Sequence, residues 1–382
     1  MTIHAISNVV VFNGRSLRPS SNLIFQASPG DILGVEAEAR DLSGVNGIVE
    51  GSGYTLLPGL IDSNIDTAAI NRDLHIFASY GITTVLDMSS TVTEIQAMRA
   101  ESDAEPGLPS YLACGPLATA EIAHGNQFYP RRENKIVRSP AEAENFVTSG
   151  VNGPSKADYI RVLVDLPGID GEVLTALVHA AHRHGKLAVA HAIQKIGYSR
   201  ALEAGFDVIT LIPIDGLIDA DMANRLAARG TACIPTLCRA RALAQLLLRE
   251  EAGVASGIDL NFDYALANVK ILYDAGVRIC AGTEANQTSS APVSIGESLH
   301  DELELLVRSG MSTLDALRAA TIVPALIFGL DDRGVLSSGR RADMLLIEGD
   351  PLQDITATRN IRKVWISGIE VEIGRELGAE YV

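Results

Sequence analysis

Cationic side chains are scarce in this 382-residue chain: 31 Lys and Arg stand against 47 Asp and Glu, a formal net charge of −16. That balance argues against a nucleic-acid binder and against a peripheral membrane protein, since both present basic faces. Cysteine is sparse as well. Cys114, Cys233, Cys238 and Cys280 lie far apart or within β-like runs, with no zinc-type spacing, and read as reduced core thiols of a cytoplasmic protein. No window approaches the roughly 20 apolar residues that a membrane span needs. The start, Met1-Thr2-Ile3-His4-Ala5-Ile6-Ser7, lacks the basic residues and apolar stretch of a signal peptide. A soluble protein is therefore expected. What the chain does have is an apolar share of 47% with abundant Gly and Ala, which suits an α/β enzyme with a large core.

From about residue 58 to 330, short apolar β-type runs alternate with amphipathic stretches. The β-type runs end near Asp66, Asp87, Gly115, Val164, His191, Leu211, Leu237 and Gly282. Helical periodicity marks 171–184, 219–229, 263–275 and 295–309, with glycine near several ends. Eight such alternations predict a (β/α)8 TIM barrel, which gathers reactive groups at the carboxyl ends of its strands. The two chain ends differ from this middle. Residues 3–57 and 334–374 are rich in turns and β-branched residues without helical period, so a small β-sandwich domain formed by both chain termini is expected. The domain reading is 1–57 and 334–382 for that sandwich and 58–333 for the barrel, with 254–262 as a loop or short excursion.

Several motifs carry a resemblance to a known family. They are Pro58-Gly59-Leu60-Ile61-Asp62, Gly81-Ile82-Thr83-Thr84-Val85-Leu86-Asp87, His124-Gly125, the run ending in His191, Ile234-Pro235-Thr236-Leu237, Gly282-Thr283-Glu284-Ala285-Asn286 and the tail Gly349-Asp350-Pro351-Leu352. In this order they resemble the imidazolonepropionase- and prolidase-like branch of the amidohydrolase superfamily, over nearly the whole chain. The resemblance implies a two-metal hydrolase site, and here the sequence departs from it. Asn64 and Asp66 stand where the first strand should bring a His-x-His pair. Arg161 occupies the place of a strand-four lysine, Leu211 that of the sixth-strand histidine, and Glu284 that of a strand-eight aspartate. His191 alone is unchanged.

A two-metal site ionises a bridging water and polarises the scissile carbonyl. Arginine has no acceptor to offer a metal, and Leu211 offers no donor atom at all. Asp66, His191 and Glu284 could still form a facial site for a single zinc or similar ion. The competing expectation has no cofactor. Asp66 and Glu284 converge around the cation of Arg161, so that one carboxyl is raised, and with His191 they do general acid–base work. Arg161 and Asn64 hold the substrate or a developing oxyanion. The expected enzyme is thus a metal-free lyase, isomerase or cyclase acting on a small, largely apolar organic molecule. A mononuclear C–N hydrolase and an inactive pseudoenzyme are the alternatives. The only partner expected is that small-molecule substrate, apart from a possible homo-oligomer.

Further candidates lie outside this set. His124 and Tyr129 fall in the long segment after the third strand, with Phe128, Arg131, Arg132, Lys135 and Arg138, where a loop commonly covers the site. They are candidate substrate contacts, as is His300 at the head of the last long helix. His179, His182 and His184 sit on or just after one helix outside the barrel and read as an exposed face. Cys238 follows the seventh strand but has only Arg239 beside it to activate a thiol, so it reads as packing.

Overall fold

The computed structural model describes residues 2–37, 42–66, 73–121, 134–249, 261–287 and 291–373. Its middle is a parallel α/β arrangement. The strands Leu60–Ile65, Ile82–Asp87 and Ser110–Ala113 pair in parallel as one sheet. A second parallel sheet runs in the order Lys135–Ile136, Ala118–Thr119, Ile160–Leu163, Ala188–His191, Val208–Thr210, Ala232–Ile234 and Arg278–Ile279. Backbone bonds tie the two sheets at both sides. Ser63 and Asp66 donate to Ala281 and Ala285 (both 2.9 Å), and Asp158 donates to Ala113 (2.8 Å).

Helices return the chain between strands, and their local chemistry explains their limits. Gly171–Arg183 buries Val173, Leu174, Leu177, Val178 and Ala181 on one stripe, the spacing of an amphipathic helix against a sheet. Thr91 and Glu94 form a reciprocal capping box at Val92–Ala104. The expected helices match Gly171–Arg183, Ala220–Arg229, Phe262–Asp274 and Glu297–Arg308 to within two residues at either end. The seventh strand differs: it stops at Ile234, and Leu237 already begins the helix Leu237–Arg249. The left-handed backbone at Thr236 (φ 48°) turns the chain there. The predicted excursion at 254–262 lies almost wholly outside the described residues.

Both chain ends contribute to one eight-stranded sheet. Tyr54–Pro58 is antiparallel to Met344–Glu348 and parallel to Ile3–Phe12, so early and late strands are direct neighbours. All these strands are joined by hydrogen bonds into one sheet, and it curls back on itself, since Phe25 and Trp365, four strands apart along it, meet edge to face with ring centroids 5.9 Å apart. Its apolar cluster includes Ile6, Val11, Phe25, Leu56, Met344 and Trp365. Inside the parallel strands, Ile61, Leu86, Met88, Tyr159, Val189, Val208, Ile234 and Cys280 form a separate apolar plug. The polar residues described next lie further along the same strands, towards their carboxyl ends.

Candidate active site at the carboxyl ends of the strands

Parallel register sets up the first contact. Arg161 is opposite Val189, and His191 lies opposite Leu163 on one side and Thr210 on the other. Because side chains alternate across a strand, Arg161, Leu163, Val189 and His191 share a face. The arginine must therefore rise two residues to meet the imidazole, and it does. Its Nη2 lies 2.5 Å from His191 Nδ1 and 3.5 Å from Thr210 Oγ1, while Nη1 donates to Met88 O at 2.5 Å. Arg161 and His191 are each 1% exposed.

Asn64 joins this group from the first strand. Its Nδ2 donates to Thr210 Oγ1 (3.1 Å), and its carbonyl accepts from the backbone N–H of Thr283 (3.1 Å) and of Glu284 (2.6 Å). Gly282 permits that approach, because a Cβ there would stand 2.8 Å from Asn64 N and 2.6 Å from a methyl of Ile234. Glu284 adopts a left-handed backbone (φ 52°), as do Leu211 (φ 68°) and Thr236 (φ 48°). Such conformations cost roughly 1–3 kcal/mol each in residues with a Cβ and gather at functional sites. Here they mark three successive strand ends.

The fully buried Glu284 carboxylate faces the guanidinium of Arg239, with Oε2 3.8 Å from Nε, and Arg239 also bonds Ala291 O. Arg239 is 2% exposed and was missed by the sequence reading, which treated it only as a neighbour of Cys238. Its place just after the seventh strand is the signal that could have found it. The cation expected to serve both carboxylates is thus divided: Arg239 joins Glu284, and Arg161 joins His191. Asp66 leads out of the first strand beside residue 285, close enough for its charge to add to the upward shifts of Asp87 and Cys114.

Beneath these groups lie acids with a different kind of partner. Asp62 accepts from Asn64 N, Thr283 N and Thr283 Oγ1 (3.2, 3.1 and 2.7 Å), and burial pushes its carboxyl up to about 7. Asp87 accepts from the N–H groups of Ser89 and Ser90 and from Tyr111 Oη, and burial raises it too. Glu302 takes the first N–H groups of the helix after Thr236, those of Leu237 and Cys238 (both 2.8 Å), and burial pushes it to about 7. Several buried polar atoms at the strand ends find no hydrogen-bond partner among the described residues: Asn64 Oδ1, Thr236 Oγ1 and Asn286 Oδ1. Such atoms are uncommon in native cores and call for a ligand or water.

The remaining candidates fall elsewhere. His124 and Tyr129 lie outside the described residues, as do Phe128, Arg131 and Arg132. His300 is 1% exposed, with Nε2 at 3.1 Å from Tyr80 O and Nδ1 at 3.0 Å from Thr358 Oγ1. Both ring nitrogens are engaged by the scaffold, and burial pushes the imidazole down to about 4, so it stands as a neutral strut. His182 pairs with Asp207 (2.9 Å) on the outer surface, and His179 is exposed. All four cysteines are buried; burial pushes Cys114 and Cys233 up to about 12 and Cys238 well above its ordinary value, which leaves no nucleophilic thiolate. A cleft of about 500 Å³ opens at the other end of the strands, between Leu187, Asp207, Thr231 and Arg278. Those residues stand at or just before the starts of their strands, so the cleft is set apart from the candidate site at the strands' carboxyl ends.

The metal centre implied by the resemblance can be tested on the donor atoms. Leu211 and Arg161 supply none. A guanidinium is donor-only, so His191 Nδ1 must accept from Arg161 Nη2 with its lone pair. The neutral ring then carries its proton on Nε2 and has no lone pair left for an ion. Among the described residues no group of three His, Cys, Asp or Glu is placed to hold a metal. The donor set does not fit a divalent ion.

A parallel α/β scaffold with a buried polar cluster at its strand ends defines an enzyme-like class of protein. Comparison with known proteins fixes the family. The model described as "Amidohydrolase family" matches residues 55–371, and the chain belongs to that family. It is 29% identical over 219 residues to imidazolonepropionase of Deinococcus deserti, covering 56% of this chain and 49% of that protein. It is 26% identical over 364 residues to adenine deaminase 2 of Rhizobium johnstonii, covering 89% and 54%. The chain thus spans about half the length of these relatives. An Aspergillus niger ochratoxinase structure superposes with a TM-score of 0.82 at 19% identity, covering 98% of this chain and 96% of that one. A Xaa-Pro dipeptidase with bound methionine gives 0.81 at 19%, covering 97% and 100%. At that identity the likeness concerns the fold. Among the described residues no helix is long and apolar enough to cross a membrane.

Proposed function

We propose that this amidohydrolase-family chain is an enzyme for a small, largely apolar organic molecule that works by general acid–base chemistry, in a site that has given up the family's metal centre. The observation that carries this reading is the 2.5 Å contact between Arg161 Nη2 and His191 Nδ1, which puts a fixed cation on the one retained histidine. Asp66 and Glu284 are the proton carriers. One carboxylate takes a proton from the carbon next to an electron-withdrawing group, and the other, as the acid, gives a proton to the departing or isomerising atom. Elimination, isomerisation and ring closure all balance in this way. Arg161 and Arg239 stabilise negative charge, since fixed guanidinium groups in a buried site need no reorganisation as that charge grows. In this reading the two parallel sheets close as a (β/α)8 barrel, through the bonds of Ser63 and Asp66 to residues 281 and 285.

The names of the relatives point to a substrate with a C–N bond or a nitrogen heterocycle, so those compounds come first in a screen. The deciding measurement is elemental analysis before and after dialysis against chelator, followed by turnover assays on the dialysed protein. The expected result is no stoichiometric zinc, manganese or iron and undiminished turnover. One retained equivalent, with activity lost to chelator and restored by zinc, would overturn the proposal in favour of a mononuclear hydrolase.

A further inference from the structure

The Arg161–His191 contact says more than that a metal does not fit. A neutral imidazole has one N–H and one lone pair, and which nitrogen carries the proton is set by the partner of the other. Here the partner cannot accept. Every polar hydrogen of a guanidinium is a donor, so the only productive bond runs from Arg161 Nη2 to the lone pair of Nδ1. The arginine is itself fixed: Nη1 is held by Met88 O, and Nη2 also reaches Thr210 Oγ1, whose other neighbour is Asn64 Nδ2. Both side chains are 1% exposed, so bulk water is kept away from the contact.

We infer that Arg161 is a positioning residue that locks His191 in the Nε2–H tautomer, so that this imidazole serves as a hydrogen-bond donor to a carbonyl or carboxylate oxygen of the substrate, and neither as a metal ligand nor as a proton acceptor. This rests on the metal-free reading above, whose proton carriers remain Asp66 and Glu284, and revises one role within it. Arg161 acts through His191, which itself joins the groups that meet negative charge. A ligating histidine needs the opposite arrangement, with the far nitrogen donating to a carboxylate or carbonyl. Replacing that acceptor by an arginine inverts the polarity of the ring. The substrate class follows: a molecule with an oxygen acceptor at its reacting centre, where a fixed N–H gains strength as the oxygen becomes more negative.

The test needs no substrate. In the full-length protein labelled with 15N, long-range proton–nitrogen correlation spectra at neutral pH distinguish a protonated ring nitrogen from an unprotonated one. The chain has eight histidines, so a His191→Gln variant assigns the signals. The expected pattern is unprotonated Nδ1 and protonated Nε2, unmoved by an equivalent of zinc. An Nδ1–H tautomer, a doubly protonated ring, or zinc-induced loss of the His191 signals would overturn the inference. In an Arg161→Lys variant that retains its fold, the pattern should relax towards a mixture; a wild-type pattern there would show that Arg161 does not set it. The two proposals fail separately. Chelator-sensitive turnover with His191 still in the Nε2–H form defeats the metal-free function alone, and metal-free turnover with an Nδ1–H ring defeats this inference alone.

Discussion

Asp62 lies within the strand Leu60–Ile65 and Glu284 beyond the end of Arg278–Ile279, and both are fully buried, yet their partners differ in kind. Asp62 accepts from two backbone N–H groups and one hydroxyl, which stitches the first strand to residue 283. Glu284 faces a guanidinium instead. The same division runs through the whole cluster. Asp87, Asp165 and Glu302 hold backbone N–H groups in place, whereas His191 and Glu284 meet arginine side chains. Buried acids that serve the backbone cannot move without breaking the scaffold. Groups that face a charged side chain instead of the backbone can exchange that partner for a substrate. Burial alone therefore does not identify the chemistry; the identity of the partner does.

The comparison breaks most visibly at the ion pair. Removing one member of a buried pair leaves a charge uncompensated, which typically costs about 3–5 kcal/mol. Glu284→Gln should lower the denaturation free energy by that order, and adding Arg239→Met should recover part of it. Full additivity of the two changes in a double-mutant cycle would dissolve the pair. Next comes turnover. Asp66→Asn should cost about 100-fold in rate, the usual scale for a lost acid–base group, with little change in melting temperature. Asp62→Asn should do the reverse, lowering stability first. If Asp66→Asn melts early and turns over normally, it belongs with the scaffold acids.

A smaller effect lies in the pH dependence. Burial raises Asp62 and Asp165 from 3.8, and Glu302 from 4.5, to about 7. The folded chain holds these protons more tightly than the unfolded chain does. Their stabilising contribution is therefore complete below the unfolded values near 4 and is lost as pH rises through about 7. The urea midpoint of the wild type should fall across that window more steeply than that of Glu302→Gln, and parallel curves would remove Glu302 from the account. The smallest change is on the outer surface. His182 and Asp207 are 45% and 30% exposed, so His182→Ala should cost under about 1 kcal/mol and leave turnover untouched. A larger loss would mean that the outer face is coupled to the site.

Much of the frame is legible in the sequence because periodicity reports burial. Strand ends near residues 66, 87, 164, 191 and 211 lie within two residues of the observed ends. The replaced family positions, Asn64, Asp66, Arg161, Leu211 and Glu284, follow from motif order. What stayed hidden was which side chains meet. Arg161 reaches His191 only because of the stagger of two strands, and a one-residue change of register would turn it to the opposite face. Arg239 stands one turn into a helix that was read as the end of a strand, so its access to Glu284 could not be seen. Asp62 lay within the most informative motif of the chain and went unremarked, since a backbone-holding role leaves no trace in residue type.

The pairing of Thr55 with Ile347 has a consequence for the birth of the protein on the ribosome. The strand Tyr54–Pro58 is made early, and its lasting neighbour Met344–Glu348 comes nearly three hundred residues later. Until then one flank of a short apolar strand, including Leu56 and Leu57, has no sheet partner of its own and can recruit a strand from another nascent chain. Messages cut short before residue 344 should accordingly yield insoluble product. Crowded polysomes, where many half-made copies lie side by side, are where this family member would most need a chaperone.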